Sequence, residues 1–214
     1  MERRIRFGGT WTATVGALIG ANVAVFVLQA VYPPLTGMLG LIPGHVLPDR
    51  LHTILTYSFL HGGVGHIFFN MLTLYFFGGD LDLFLGRRRF LILYFGSALA
   101  GGVAAALFLR GPVLIIGASG AVYGVLTAYA LYFPRTEVLL WFLLPMKIWV
   151  LVLIWVGISL FFSLTDPSGG GIAHLAHLGG AVFAFFYVTR FWRPGGMFRD
   201  LRYRWRRRRF KTIQ

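Results

Sequence analysis

Charge is scarce in this chain, and cysteine is absent altogether. Only 13% of the 214 residues are charged, against about 25% in an ordinary soluble domain, and the acidic residues number seven. The composition is 57% hydrophobic and the mean hydropathy is +0.72. So much apolar surface does not fit inside one soluble core, so lipid is expected to solvate a large part of it. The lack of cysteine excludes disulfides, Cys-ligated zinc and thiol catalysis. The shortage of carboxylates, together with the lack of a His-Glu-x-x-His run, argues against a metal centre built from His61, His66, His174 and His177. No metal and no cofactor are expected. Nor is there an internal repeat of the kind on which many transporters are built.

What charge there is has one sign and an uneven distribution. The net charge is +13. Arg3, Arg4 and Arg6 precede the first apolar run, Arg87, Arg88 and Arg89 form a second cluster, and ten basic residues lie between Arg190 and Lys211. Such patterning follows the positive-inside rule for membrane proteins, and the basic tail reads as a solvated cytoplasmic face able to touch anionic lipid, not as a nucleic-acid site.

A spanning helix needs about 20 mostly apolar residues. The sequence predicts six, at about 13–31, 64–85, 90–109, 118–133, 148–164 and 172–192. The first has the basic start of a signal peptide, but its apolar run is long and no Ala-x-Ala signal follows, so it reads as an uncleaved span. The expected architecture is an all-α polytopic bundle of six transmembrane helices over residues 13–192, between a basic N-terminus (1–12) and a basic tail (193–214). An even number of spans puts both termini on the same, basic side, and only Arg50 and Arg110 fall opposite. The expected location is a prokaryotic cell membrane with cytoplasmic termini. The fourth span is short for a bilayer and is expected to start below the surface. The long loop at 33–63, with Pro33, Pro34, Pro43 and Pro48, is expected to be structured and partly embedded.

Polar and ionisable groups inside a membrane are costly, which makes those that remain functional candidates. Here they converge on three stretches. His66 and Asn70 stand four residues apart on one face of the second span. Gly117-Ala118-Ser119-Gly120 opens the fourth. The sixth begins with His174-Leu175-Ala176-His177-Leu178-Gly179-Gly180. Each alone has a bland explanation: serines in spans hydrogen-bond their own backbone, and Gly120 with Gly124 is a common helix-packing spacing. Together they supply the parts of acyl transfer. A serine hydroxyl is a weak nucleophile until an adjacent base takes its proton, and histidine titrates near neutrality. Ser119 at a helix start has unpaired backbone N–H groups suited to a developing oxyanion. His66 and Asn70 are placed to donate further hydrogen bonds. Tyr123, four residues after Ser119, is placed to pack on the base. No carboxylate accompanies the histidines in their spans, so a Ser–His dyad is expected.

The run Gly117-Ala118-Ser119-Gly120 resembles the Gly-x-Ser-Gly signature of rhomboid proteases, and Ala176-His177-Leu178-Gly179-Gly180 resembles their catalytic-histidine motif. The stretch Phe59 to Asn70 resembles their second span. Order and spacing agree over about residues 14–190. The resemblance implies Ser119 as nucleophile, His177 as general base and acid, and His66, Asn70 and the Ser119 amide as oxyanion donors. It also implies Tyr123 stacked on the histidine, His61 in support, and Asp82 as an anchor to nearby arginines. Ala184 stands where the last span of the family usually has a glycine. The activity implied is hydrolysis of transmembrane protein substrates. The alternatives are an inactive relative that binds membrane clients and, further off, a small transporter. The fifth span offers Trp155, Phe161 and Phe162 as bulky residues to wedge against the second span, and the loop Asp166 to Gly171 as a movable cap. The oligomeric state is not legible.

Overall fold

The structure, a computed structural model, describes residues 9–46, 48–109, 113–140, 144–165 and 174–189. The tail from 190, the N-terminal residues 1–8, Arg110 and the suggested cap Asp166 to Gly171 lie outside the described residues.

Helix α1 (Ala13–Val31) begins where Thr12, in extended conformation, accepts a hydrogen bond from Val15 N–H at 3.2 Å. The expected loop follows and is structured. It contains α2 (Pro34–Leu39), α3 (Thr53–Thr56) and a 3₁₀ turn at Tyr57–Phe59. The Arg50 guanidinium donates to the carbonyls of Gly37 and Met38, tying the end of α2 to the entry of α3. A bridge between Leu41 and Ile115 joins this loop to the segment that precedes the fourth span.

The second span is one continuous run of three helical pieces: α4 (Val64–Thr73), a π-helical stretch at Leu74–Gly78 and α5 (Gly79–Leu85). It ends at Gly86, whose φ of +81° an L side chain rarely adopts. Helix α6 (Arg87–Phe108) follows at once. The sequence predicts its start at 90, but the break is the left-handed glycine and not the arginine run. Helix α7 (Ser119–Tyr132) has 14 residues, about 21 Å at 1.5 Å per residue, short of a hydrocarbon core of about 30 Å. Helix α8 (Ile148–Thr165) and helix α9 (His174–Thr189) complete the bundle. By length and composition α1, the second span, α6 and α8 are each able to cross a membrane, while α9 is a shorter apolar helix.

One element departs from the all-α expectation. An antiparallel hairpin joins α7 to α8, with β1 (Glu137–Leu140) paired to β2 (Leu144–Lys147) in the register Glu137–Lys147, Val138–Met146. Its alternation is the reason: Val138 and Met146 face the bundle and pack on its core, while Glu137 and Lys147 are paired on the opposite face.

The centre of the molecule is α7, clasped by α6 and α9. Ten of its 14 residues are buried. The clasp depends on small residues at close backbone approaches. A Cβ on Gly180 would overlap the carbonyl of Gly120, and one on Gly124 would overlap the Ser97 side chain. A Cβ on Gly101 would come 2.6 Å from the Ala176 carbonyl oxygen. Ala184 is fully buried in this seam, so its extra methyl is accommodated. At the opposite end from the site, Thr10 donates to one Asp80 carboxylate oxygen and Tyr129 to the other at 3.2 Å, so Asp80 ties the chain before α1 to α5 and α7. The anchoring role expected of Asp82 is not what the fold displays. Asp82 is buried, makes no ion pair with an arginine among the described residues, and its Oδ1 has no hydrogen-bond partner there.

Candidate active site

The three polar stretches meet because α4, α7 and α9 all begin on one side of the bundle. Gly117 makes the turn into α7. Its φ of +130° suits glycine, and a Cβ there would come 2.7 Å from the His66 ring. The Gly117 N–H donates to the Tyr57 carbonyl at 2.9 Å, which fixes the turn against the 3₁₀ segment. Ser119 is therefore delivered as the first residue of α7, where the leading backbone N–H groups have no helical acceptor.

His177 lies one turn into α9, and its Nε2 is 2.8 Å from Ser119 Oγ. With the serine hydroxyl donating, Nε2 is the acceptor and Nδ1 carries the proton of the neutral ring. Among the described residues no acceptor meets Nδ1 and no carboxylate lines the cavity. The ring is held instead by stacking, with Tyr123 at 4.3 Å and an interplanar angle of 11°. His174, one turn earlier on α9, lines the same cavity but is engaged elsewhere. Its ring stacks on Phe162 at 5.1 Å and meets His177 edge-on at 6.0 Å.

The second span supplies the facing wall. The Gly62 N–H donates to His66 Nδ1 at 3.3 Å, so Nε2 carries the proton on the side of the ring that faces Gly117. The Asn70 amide is buried and its Nδ2 donates to the His66 carbonyl at 2.9 Å, leaving its second hydrogen for another acceptor. His61 packs edge-on against His66 at 5.1 Å. Burial first, and the neighbouring His66 second, push the pKa of His61 down to about 4, so it is neutral at neutral pH.

Ser119, His177, His66, Asn70 and Tyr123 all border one cavity of about 610 Å³, which continues between Phe69 and Thr73 of the second span and Trp155 and Ile158 of α8. Of the three aromatic residues expected at this entrance, Trp155 alone lines it. Phe162 is drawn onto His174, and Phe161 is 60% exposed on the outer face of α8.

Three residues that hold the site were not singled out from the sequence. Tyr57 is buried, and its OH donates to the Ala98 carbonyl at 2.9 Å. Gln29 accepts from the His61 N–H at 2.9 Å and donates to the Thr36 hydroxyl at the same distance. Ser159 of α8 is 1% exposed and hydrogen-bonds Tyr123 OH at 3.2 Å. A polar side chain in a mostly apolar span was the available signal for Gln29 and Ser159, shared in α1 with Asn22 and in α8 with Ser163 and Thr165.

The helical bundle, with a serine–histidine pair bordering a cavity inside it, defines the class: a multi-pass membrane protein. Residues 48–194 match the Rhomboid domain, and the chain belongs to that family. It is 34% identical over 184 residues to Rhomboid protein 1, mitochondrial, of Saccharomyces cerevisiae, covering 81% of this chain and 51% of that protein. It is 31% identical over 186 residues to RHOMBOID-like protein 12, mitochondrial, of Arabidopsis thaliana, covering 78% and 55%. To Rhomboid protease GluP of Bacillus subtilis it is 31% identical over 133 residues, covering 62% and 24%. The aligned part thus spans about half the length of the first two relatives or less.

Proposed function

We propose that this chain is an intramembrane serine endopeptidase that hydrolyses peptide bonds in or near the transmembrane segments of membrane proteins. The observation that carries the reading is the 2.8 Å contact between Ser119 Oγ and His177 Nε2 at the wall of a cavity inside the bundle. In the proposed reaction Ser119 Oγ attacks the scissile carbonyl as its proton passes to His177 Nε2. The oxyanion that forms is met by the Ser119 N–H, the His66 Nε2–H and the free hydrogen of the Asn70 amide. His177 then hands its proton to the departing amine and leaves an acyl-serine. Water, deprotonated by the same nitrogen, attacks that ester, and His177 returns the proton to Ser119 Oγ as the carboxyl product leaves.

The substrates on this reading are transmembrane proteins, with lipid as the surrounding partner. Relatives of this chain include mitochondrial proteins as well as a bacterial one, and on this reading the charge of the chain sets its sidedness rather than its compartment. The basic ends and the Arg87–Arg89 turn face the cytoplasm or its equivalent, and the dyad opens to the opposite side.

The test compares the native chain with Ser119→Ala in detergent. Losing an activated nucleophile costs several powers of ten, so cleavage of a spanning substrate and labelling by a fluorophosphonate probe are both expected to vanish. Equal labelling of the two proteins would overturn the assignment. Labelling without cleavage of any spanning peptide would point to the client-binding alternative.

A further inference from the structure

Helix α8 has three hydroxyl side chains. Two of them bond back into their own helix, Ser163 Oγ to the Ser159 carbonyl at 2.7 Å and Thr165 Oγ1 to the Phe161 carbonyl at 2.9 Å, the usual behaviour of hydroxyls in apolar helices. Ser159 does otherwise. Its hydroxyl leaves the helix and reaches Tyr123 OH on α7 at 3.2 Å. It is also the one buried residue in the half of α8 nearer the site, since the other two, Ile148 and Leu151, lie in the first turn. The most apolar of the spans thus buries a single side chain beside the dyad, and that side chain is polar.

The Tyr123 ring lies flat on His177. Many Ser–His sites use a carboxylate on the far nitrogen to set the orientation of the base. Among the described residues His177 Nδ1 has no such acceptor, so the stacked tyrosine is what sets the plane of the ring. The tyrosine in turn is held at its hydroxyl by Ser159 and along its ring by Trp155, at 5.8 Å and 38°, both from α8. We infer that Ser159 is a positioning residue for the dyad: through the Tyr123 hydroxyl it makes alignment of His177 depend on α8 being seated against α7. This rests on the proposed protease reading. Its consequence is that displacement of α8 at the cavity entrance releases the ring that holds the base, so chemistry needs α8 to return after a substrate enters.

The experiment uses the full chain in detergent micelles and two readouts, the rate of fluorophosphonate labelling and the steady-state constants for a spanning substrate. Ser159→Ala is expected to lower the labelling rate and kcat by about 3- to 10-fold, the scale of one neutral hydrogen bond, with KM little changed. Ser159→Thr, which keeps the hydroxyl, is expected to restore most of the loss. Tyr123→Phe removes the same bond from its other end and should match Ser159→Ala, and the double variant should be no worse than either single one. If Ser159→Ala proves unstable to heating, the Tyr123→Phe and Ser159→Thr comparison carries the test. Native labelling rates in both Ser159→Ala and Tyr123→Phe, or losses that multiply in the double variant, would overturn the inference. A native chain that takes no probe at Ser119 sinks the protease reading itself, an outcome distinct from a labelled native chain with an unaffected Ser159→Ala.

Discussion

Helices α7 and α8 are neighbours of opposite character. Ten of the 14 residues of α7 are buried, against three of the 18 of α8. Backbone meets backbone where α7 crosses α9, so a Cβ on Gly180 has no room. In α8 a Cβ on Gly157 would meet nothing within 4 Å. Ser119 and His177 stand on the crowded pair, where geometry is held by contacts that cannot yield. The cavity wall toward the lipid stands on the loose helix, whose outer face carries Leu160 and Phe161 exposed. Rigid support under the reacting atoms and a weakly held wall beside them are what a site needs if it must keep its alignment and still admit a bulky chain.

The sharpest way to break this contrast is to add the same methyl group to both helices. Gly180→Ala forces two backbones apart and is expected to cost more than about 3 kcal/mol, seen as loss of folded protein or a large fall in Tm. Gly157→Ala meets open space and is expected to be neutral or stabilising by up to about 1 kcal/mol from helix propensity. Similar effects from the two changes would erase the distinction between seam and wall.

The next effect in size concerns the second span, the wall facing both helices. Asn70→Ala is expected to slow turnover on the order of 10²-fold with the fold retained, the usual cost of one side-chain oxyanion donor. Combining it with His66→Ala should slow turnover further than either change alone. Full activity in a folded double variant would place the oxyanion elsewhere.

The smallest effects belong to the outer end of α8. Phe161 faces outward, so Phe161→Ala should leave cleavage of a spanning substrate within about twofold of native. Phe162 is stacked on His174 and helps hold α8 to α9. Phe162→Ala should speed that cleavage a few-fold, on the order of 3-fold, where helix displacement limits entry. Side-by-side assays in one detergent check both, and a faster Phe161→Ala with an unchanged Phe162→Ala would reverse the roles given to the two rings.

Much of this architecture was legible before any coordinates. The first two spans coincide with the helices at Ala13–Val31 and Val64–Leu85, because an apolar run bounded by Thr12 or by glycines carries its own ends. His66 with Asn70, and Ser119 with Tyr123, could be read as pairs, because four residues is one turn of a helix. The hairpin at Glu137–Lys147 was missed because an apolar run of that length reads alike as helix margin or strand. The carboxylate that ties the lower end is Asp80 and not Asp82. Two positions along a helix turn a side chain by about 200°, and only the packing of the chain before α1 decides which carboxylate it meets.

By itself the sequence determined that the chain is a multi-pass membrane protein, where its apolar helices run, and which serine and which histidines are available. Those properties are carried by composition, by runs of apolar residues and by local spacing, all of which survive in an unfolded chain. Tertiary structure supplied the contact itself: it brings His177 Nε2, the histidine that the family resemblance implied, to 2.8 Å from Ser119 Oγ and leaves His174 stacked on Phe162. The two differ by a single turn, and the Phe162 stack that occupies His174 comes from another helix. It likewise decided that Ser159 turns outward to Tyr123, since a hydroxyl in an apolar helix bonds its own backbone unless a neighbouring helix brings a better partner within about 3 Å.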